Sequence, residues 1–353
     1  MCLWVYGWYL SSWCQAPFTQ LHPPPSDYAS MRNQRYLVPG GVHFITFRTE
    51  EGLPFVPLQF INTLICSALA RAQRLYPVTI ICFVVQANHV HLLVRVTDPE
   101  LISKFIGYFK AESAHYLNRL LNRRQRTVWA ERFDSPAVLD IDKALELFAY
   151  CSLNPVKDGL VSSMEQYPGV ASYKHLIKSE NHIEAKDIPR HKVPALIYPH
   201  NPQRENIKLS QYFNSDEFKN LSIHLSPEEL RLAFPATKNV TAEQFRERLL
   251  QTLTKYEALY LNDRAGRAPL GVQKLVSGSL LAPRKPPTTG KKMICLSTCK
   301  ELRKRFIDVF KRLRAQCRLT FNQWKSGFDI PYPSGMFAPQ LPRISNFIPQ
   351  AIF

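Results

Sequence analysis

Val78-Thr79-Ile80-Ile81-Cys82-Phe83-Val84-Val85, followed by Gln86-Ala87-Asn88 and then His89-Val90-His91-Leu92-Leu93-Val94-Arg95-Val96, is the stretch on which the fold turns. Its first eight residues are almost all apolar and rich in β-branched side chains. A run that short predicts a buried strand. His89 to Val96 predicts a second strand, and Gln86-Ala87-Asn88 closes the two into a hairpin. Side chains at i and i+2 of a strand share a face, so His89 and His91 point the same way.

Working outward, Val42 to Arg48 is β-rich and follows the turn signal Pro39-Gly40-Gly41. Leu58 to Leu75 carries Phe60, Leu64, Ala68 and Leu75 at helical spacing. Another amphipathic helix is predicted from about Pro99 to Leu121, with Ile102, Phe105, Ile106, Phe109 and Leu117 as its stripe. Thr127 to Leu139 reads as extended but interrupted. A last helix begins near Asp142 and ends before Pro155, which lacks a donor and clashes with the preceding turn. Strand, helix, strand, strand, helix, strand, helix is the ferredoxin-like split βαβ plan with one added helix. The predicted class is therefore α+β, an antiparallel sheet with helices on one face.

The chain has 353 residues, room for roughly two domains of about 100 to 200 residues. Residues 1–34 read as a tail or as an over-extended start ahead of Met31, 35–175 as the main domain and 176–225 as linker-like. Residues 226–353 read as a mainly helical basic region. Lys and Arg number 45 against 28 Asp and Glu, a net charge of +17 on a chain that is 45% hydrophobic. That composition excludes wholesale disorder and points to a polyanion, nucleic acid first. The apolar start, Met1 to Phe18, is broken by Ser11, Ser12 and Gln15 and has no basic n-region, so it fits neither a signal peptide nor a membrane span. With no CxxC pair and with Cys66, Cys82 and Cys151 in apolar segments, the thiols are expected to be reduced and the protein cytoplasmic, near the nucleoid.

Two imidazoles on one strand face suit a divalent metal. On the helix before Pro155, Glu146, Tyr150 and Asn154 recur at i, i+4 and i+8, away from the stripe of Leu145, Phe148, Ala149, Ser152 and Leu153. Tyr150 is thus either a tyrosine at a helix margin or a nucleophile with the Asn154 amide one turn away. Tyr108 and Tyr116 are rivals whose helix faces look committed to packing, and His43 reads as a strand residue rather than a ligand.

Four blocks then carry a resemblance. They are Arg35 to Arg48 (RYLVPGGVHFITFR), Asn88 to Val94 (NHVHLLV), Trp129 to Phe133 (WAERF) and Tyr150 to Val161 (YCSLNPVKDGLV). In that order and spacing they resemble the landmarks of the insertion-sequence-200-like transposases, most of all the REP-associated tyrosine transposases, over about residues 35 to 175. A Pro-rich block, Tyr332 to Pro342, is more faintly similar to the tail of long members. The resemblance implies an HUH endonuclease that binds Mg2+ or Mn2+ through His89 and His91, with Asn154 as third ligand. Tyr150 would be the nucleophile that cuts single-stranded or hairpin DNA through a 5′-phosphotyrosine, in a monomer or homodimer without a membrane partner.

Trp129 and Arg132 are candidate DNA contacts through base stacking and phosphate binding, as is the run Arg119, Arg123, Arg124 and Arg126. A core position for Trp129 and a solvated basic turn for the arginines are the competing readings. Lys300 to Arg318 adds a further basic helix. Rival functions are a catalytically silent DNA-binding relative of the same fold, a replication initiator or relaxase sharing only the His pair, and an RNA-binding ferredoxin-like module. The last would need solvent-facing aromatics on the central strands.

Overall fold

The structure is a computed structural model describing residues 34–50, 55–123, 127–130, 132–195, 217–279, 292–326, 328 and 330–337. The hairpin forms as the sequence predicts, with β2 (Thr79–Val85) antiparallel to β3 (His89–Arg95). On the other side β3 pairs with β1 (Val42–Arg48), in a register that sets Thr46 opposite His91 and Arg48 opposite His89. β4 (Ala137–Val138) pairs with β1, giving the order β2-β3-β1-β4 of a ferredoxin-like sheet. A fifth strand, β7 (Cys295–Leu296), adds in parallel to β4 from more than 150 residues away. The Cys-containing apolar segments hold free thiols, and Phe83 is fully buried, so this sheet offers no aromatic platform of the RNA-binding kind on β2.

Alternation along β1 sorts the helices onto two faces. Phe47 meets Phe109 of α2 (Pro99–Leu120) with ring centroids 5.9 Å apart, and α2 packs beside α1 (Gln59–Leu75). Phe44, on the opposite face, meets Tyr150 of α3 (Ile141–Ser152) at 5.8 Å. The expected helices-on-one-face arrangement therefore holds for α1 and α2, while the added helix α3 covers the other side and makes a sandwich. Local chemistry starts two of these helices: Asp98 caps α2 by accepting from Glu100 N (2.8 Å), and Asp140 caps α3 by accepting from Lys143 N (2.8 Å). α3 stops at Ser152, and Pro155 opens a separate short turn, α4 (Asn154–Lys157).

The stretch read as linker-like holds a hairpin, β5 (His182–Lys186) with β6 (Asn220–His224), packed on α1. Gln73 of α1 ties it down, donating to His224 O (2.9 Å) and accepting from His224 N (2.7 Å). Ile183, Ile188, Ile223 and Leu225 enter the same core as the sheet. So do Phe245, Leu249 and Leu253 of α5 (Ala242–Asp263), which lies on α3 and α4. The last helix, α6 (Lys300–Lys325), seats Phe310 and Cys317 in a smaller cluster with Tyr36 and Met336. No helix among the described residues is long and apolar enough to cross a membrane.

Candidate active site

β3 and the α3–α4 junction bring together the residues singled out in the sequence. The rings of His89 and His91 lie 4.6 Å apart, that of His91 lies 5.3 Å from the ring of Tyr150, and Phe44 stacks on His91 at 5.3 Å while also meeting Tyr150 edge-on. Asn154, fully buried at the start of α4, sets its Oδ1 3.3 Å from His89 Nε2. Asn88 Oδ1 lies 2.8 Å from His89 Nδ1 and accepts its proton, so the neutral ring presents a lone pair at Nε2. That lone pair faces the Asn154 oxygen, another acceptor. Neither nitrogen of the buried His91 ring has a hydrogen-bond partner, and neither has the Asn154 amide nitrogen.

In this tautomer two lone pairs face each other, and three buried nitrogens beside them have no partner. A divalent cation fits this site: two neutral imidazoles and an amide oxygen are its ordinary ligands, and a proton-accepting neighbour such as Asn88 fixes the ligating tautomer. Burial, then the neighbouring His89 and Lys157, hold His91 well below the usual imidazole pKa. Burial also lowers His89, with Asp158 and Asn154 opposing and Lys157 assisting. Both rings are therefore uncharged at neutral pH, the form that binds metal. Among the described residues no group of three or more His, Cys, Asp and Glu forms a metal cluster, so the amides must complete any ligand set. The Tyr150 phenol is raised above its ordinary pKa, first by burial and then by Asp158. It stays protonated unless positive charge arrives. Lys157 supplies some, with its Nζ 5.2 Å from the centre of the Tyr150 ring.

Two residues missing from the sequence reading belong here. Gln86, 3% exposed just past the end of β2, donates from Nε2 to Asn154 Oδ1 (2.5 Å) and adds a further polar side chain to the site. Lys157 is the second. The only signal for either was proximity in sequence, Gln86 to the His pair and Lys157 to Asn154. The rival tyrosines are placed elsewhere: buried Tyr116 donates to Ile188 O (2.6 Å), and Tyr108 packs against Tyr76. His43 is structural, as expected. Its Nε2 accepts from Val38 N (3.0 Å), and its Nδ1 lies 3.0 Å from Ser135 O.

The proposed DNA contacts fare differently. Trp129 is a core residue, 6% exposed, with Phe55 stacked on it at 4.8 Å and its indole N–H donating to Ser113 Oγ (2.9 Å). No face of its ring is open to a base. Arg119 spends its guanidinium on the backbone, donating to Val193 O and to His191 O (3.1 Å). Arg132 is exposed beside Arg35, whose guanidinium lies 3.4 Å over the Phe133 ring. Arg123 sits half-buried past the end of α2, and Arg124 and Arg126 lie outside the described residues.

Residues 58–145 match the family model described as "Transposase IS200 like". This stretch is similar to the IS200-like transposases. It contains His89 and His91 and ends five residues before Tyr150, so the tyrosine and Asn154 are placed by the geometry above. A solved structure described as the REP-associated tyrosine transposase bound to a REP hairpin aligns at 20% identity with a TM-score of 0.36. It covers 42% of this chain and 86% of that one. No curated protein matches.

Proposed function

We propose that this IS200-like protein is a metal-dependent endonuclease and strand transferase acting on single-stranded DNA that carries hairpins, with Tyr150 as nucleophile. The observation that carries the reading is the pair of buried, unpartnered nitrogens on His91, in ring contact with the only tyrosine beside the His pair among the described residues. His89, His91 and Asn154 would hold Mg2+ or Mn2+, with Gln86 orienting Asn154. Such an ion supplies Lewis-acid stabilisation of charge on the phosphate oxygens.

The remaining chemistry belongs to the chain. Tyr150 Oη attacks the phosphorus, the bond to the 3′ oxygen breaks, and the phenolic proton leaves as the departing strand gains a 3′-OH. The phosphotyrosine keeps the energy of the phosphodiester, so a second 3′-OH can reverse the step and join a new strand without ATP. Packing of α3 on the sheet and a capped N-terminus hold Tyr150 in place for attack.

Tyr150→Phe should abolish the covalent protein–DNA adduct on a denaturing gel while leaving hairpin affinity within about twofold, because only one hydroxyl is lost. An adduct that persists in this variant assigns the nucleophile elsewhere. His91→Ala should remove cleavage in Mg2+ or Mn2+. Full wild-type cleavage in excess chelator would end the metal assignment.

A further inference from the structure

Helix α6 has nine basic and two acidic residues in its 26, and the charge is not spread evenly around it. At 3.6 residues per turn, Lys300, Arg303, Lys304, Lys311, Arg314 and Arg318 fall within an arc of about 100°, a ridge about 27 Å long. The buried Phe310, Cys317 and Thr320 occupy a neighbouring arc and fasten the helix to the body. Of the two acids, Asp308 lies 3.6 Å from Lys311, and Glu301 lies beside Cys299.

The direction of the ridge follows from the hydrogen bonds along its seam. Val38 bonds His43, which pairs with Val94, whereas Arg35 reaches Phe133, next to Asp134 at the level of Thr46 and His91. Residues 38 back to 34 therefore climb toward the His pair. Tyr36 packs on Phe306 and Phe310, and Gln34 donates to Tyr332 Oη (3.3 Å), whose ring lies 5.4 Å from that of Trp324. So α6 climbs in the same sense, from the Asp140 end of the sheet toward the end that holds His89 and His91. The apolar face of α6 packs on the body through Phe306, Phe310, Leu313 and Cys317, and Ile307 and Leu319 are the exposed large apolar side chains among its described residues, too few to seat the helix in a bilayer.

We propose that this ridge docks the phosphate backbone of a duplex DNA stem and leads its single-stranded flank toward Tyr150. A length of 27 Å matches about 8 base pairs at 3.4 Å each. The proposal deepens the strand-cleaving reading by naming the partner of a second surface, and it rests on that reading for its choice of DNA.

The test uses the full chain carrying Arg303→Glu, Lys304→Glu and Lys311→Glu, all exposed positions, and a second variant with alanine at the same three. Fluorescence anisotropy is read on a labelled hairpin of about 8 base pairs with a single-stranded flank, and on the flank alone, across a salt series. With melting temperatures matched to wild type, hairpin affinity should fall about tenfold or more, and the slope of log K against log salt should lose about 0.9 for each contact removed. Binding to the flank alone should not change. Unchanged hairpin affinity and slope in both variants overturns the proposal, as does an equal loss on the flank alone. Loss of binding to anionic lipid vesicles with hairpin binding intact also overturns it, in favour of a membrane surface. Tyr150→Phe should dock the stem as wild type does. Stem docking without any covalent adduct in the wild-type chain would therefore sink the nuclease reading and leave this one standing, and adduct formation with an inert ridge would do the reverse.

Discussion

His43 and His91 are both buried histidines on adjacent strands, and their surroundings give them opposite meanings. Both nitrogens of His43 are bonded to backbone, while both nitrogens of His91 are bare. Burial lowers the His43 pKa from 6.5 to about 4, against a smaller raising effect of the Ser135 carbonyl. The unfolded chain takes up this proton as the pH falls below about 6.5, and the folded chain resists until about 4. Stability is thus fully present above that window and is lost through it, by about 3 kcal/mol. Urea unfolding of wild type and His43→Gln, both in chelator, should show the wild-type advantage at pH 7 shrinking by about this amount at pH 4. A gap that stays constant would mean that His43 does not titrate differently in the folded state. Single residues were also where the sequence was hardest to read. His89, His91, Tyr150 and Asn154 announce themselves by spacing, but Trp129 looks the same whether its indole N–H finds Ser113 or solvent. Gln86 is an ordinary amide until the fold sets it against Asn154.

Elements with a period were legible; β4 lies inside the interrupted stretch Thr127 to Leu139 that reads as extended, whereas β7, made by pairing alone, left no signal. α1, α2 and α3 each carry an apolar stripe long enough to count, and the β2–β3 hairpin is a continuous apolar run with a turn. β4 and β7 are two residues each, too short for any alternation, and exist because the backbones of Ala137 and Leu139 donate to Ile294 and Leu296. Asp140, the next residue, joins that late strand to the tyrosine helix. Its Oδ1 accepts from Lys143 N and from Thr298 Oγ1 (3.0 Å), and its Oδ2 accepts from Ser297 Oγ (2.5 Å) and Thr298 N (2.9 Å). Burial would raise this carboxyl, but those hydrogen bonds outweigh it and hold its pKa below the usual value. Asp140→Ala removes a helix cap and leaves several donors unmet, and should cost about 2 to 3 kcal/mol in thermal or urea unfolding. Asp140→Asn, an equally good cap, should cost less. Equal losses for the two variants would show that capping contributes nothing here.

At the scale of the whole chain, the region after residue 225 adds a strand to the sheet and a cover to the tyrosine helix. Phe245, Leu249 and Leu253 of α5 are at most 5% exposed and belong to the same core as β1 to β3. Arg248 reaches Asp142 in the first turn of α3 (3.4 Å), and Tyr260 lies close enough to Tyr150 for the Tyr150 phenol to oppose its ionisation, after the larger effects of burial and Tyr256. Three such apolar side chains contribute about 1.5 to 3 kcal/mol each, a large share of the roughly 5 to 15 kcal/mol that holds a domain together. A chain ended at residue 225 loses them, loses β7, and exposes the outer side of α3 to water. It should unfold at much lower urea than the full chain and bind a hydrophobic dye in buffer. Phe245→Ala in the full chain should by itself cost about 3 to 5 kcal/mol. If the shortened chain kept the full-length urea midpoint, the two regions would be energetically independent, and α3 would need no support from α5 to hold Tyr150 against the His pair.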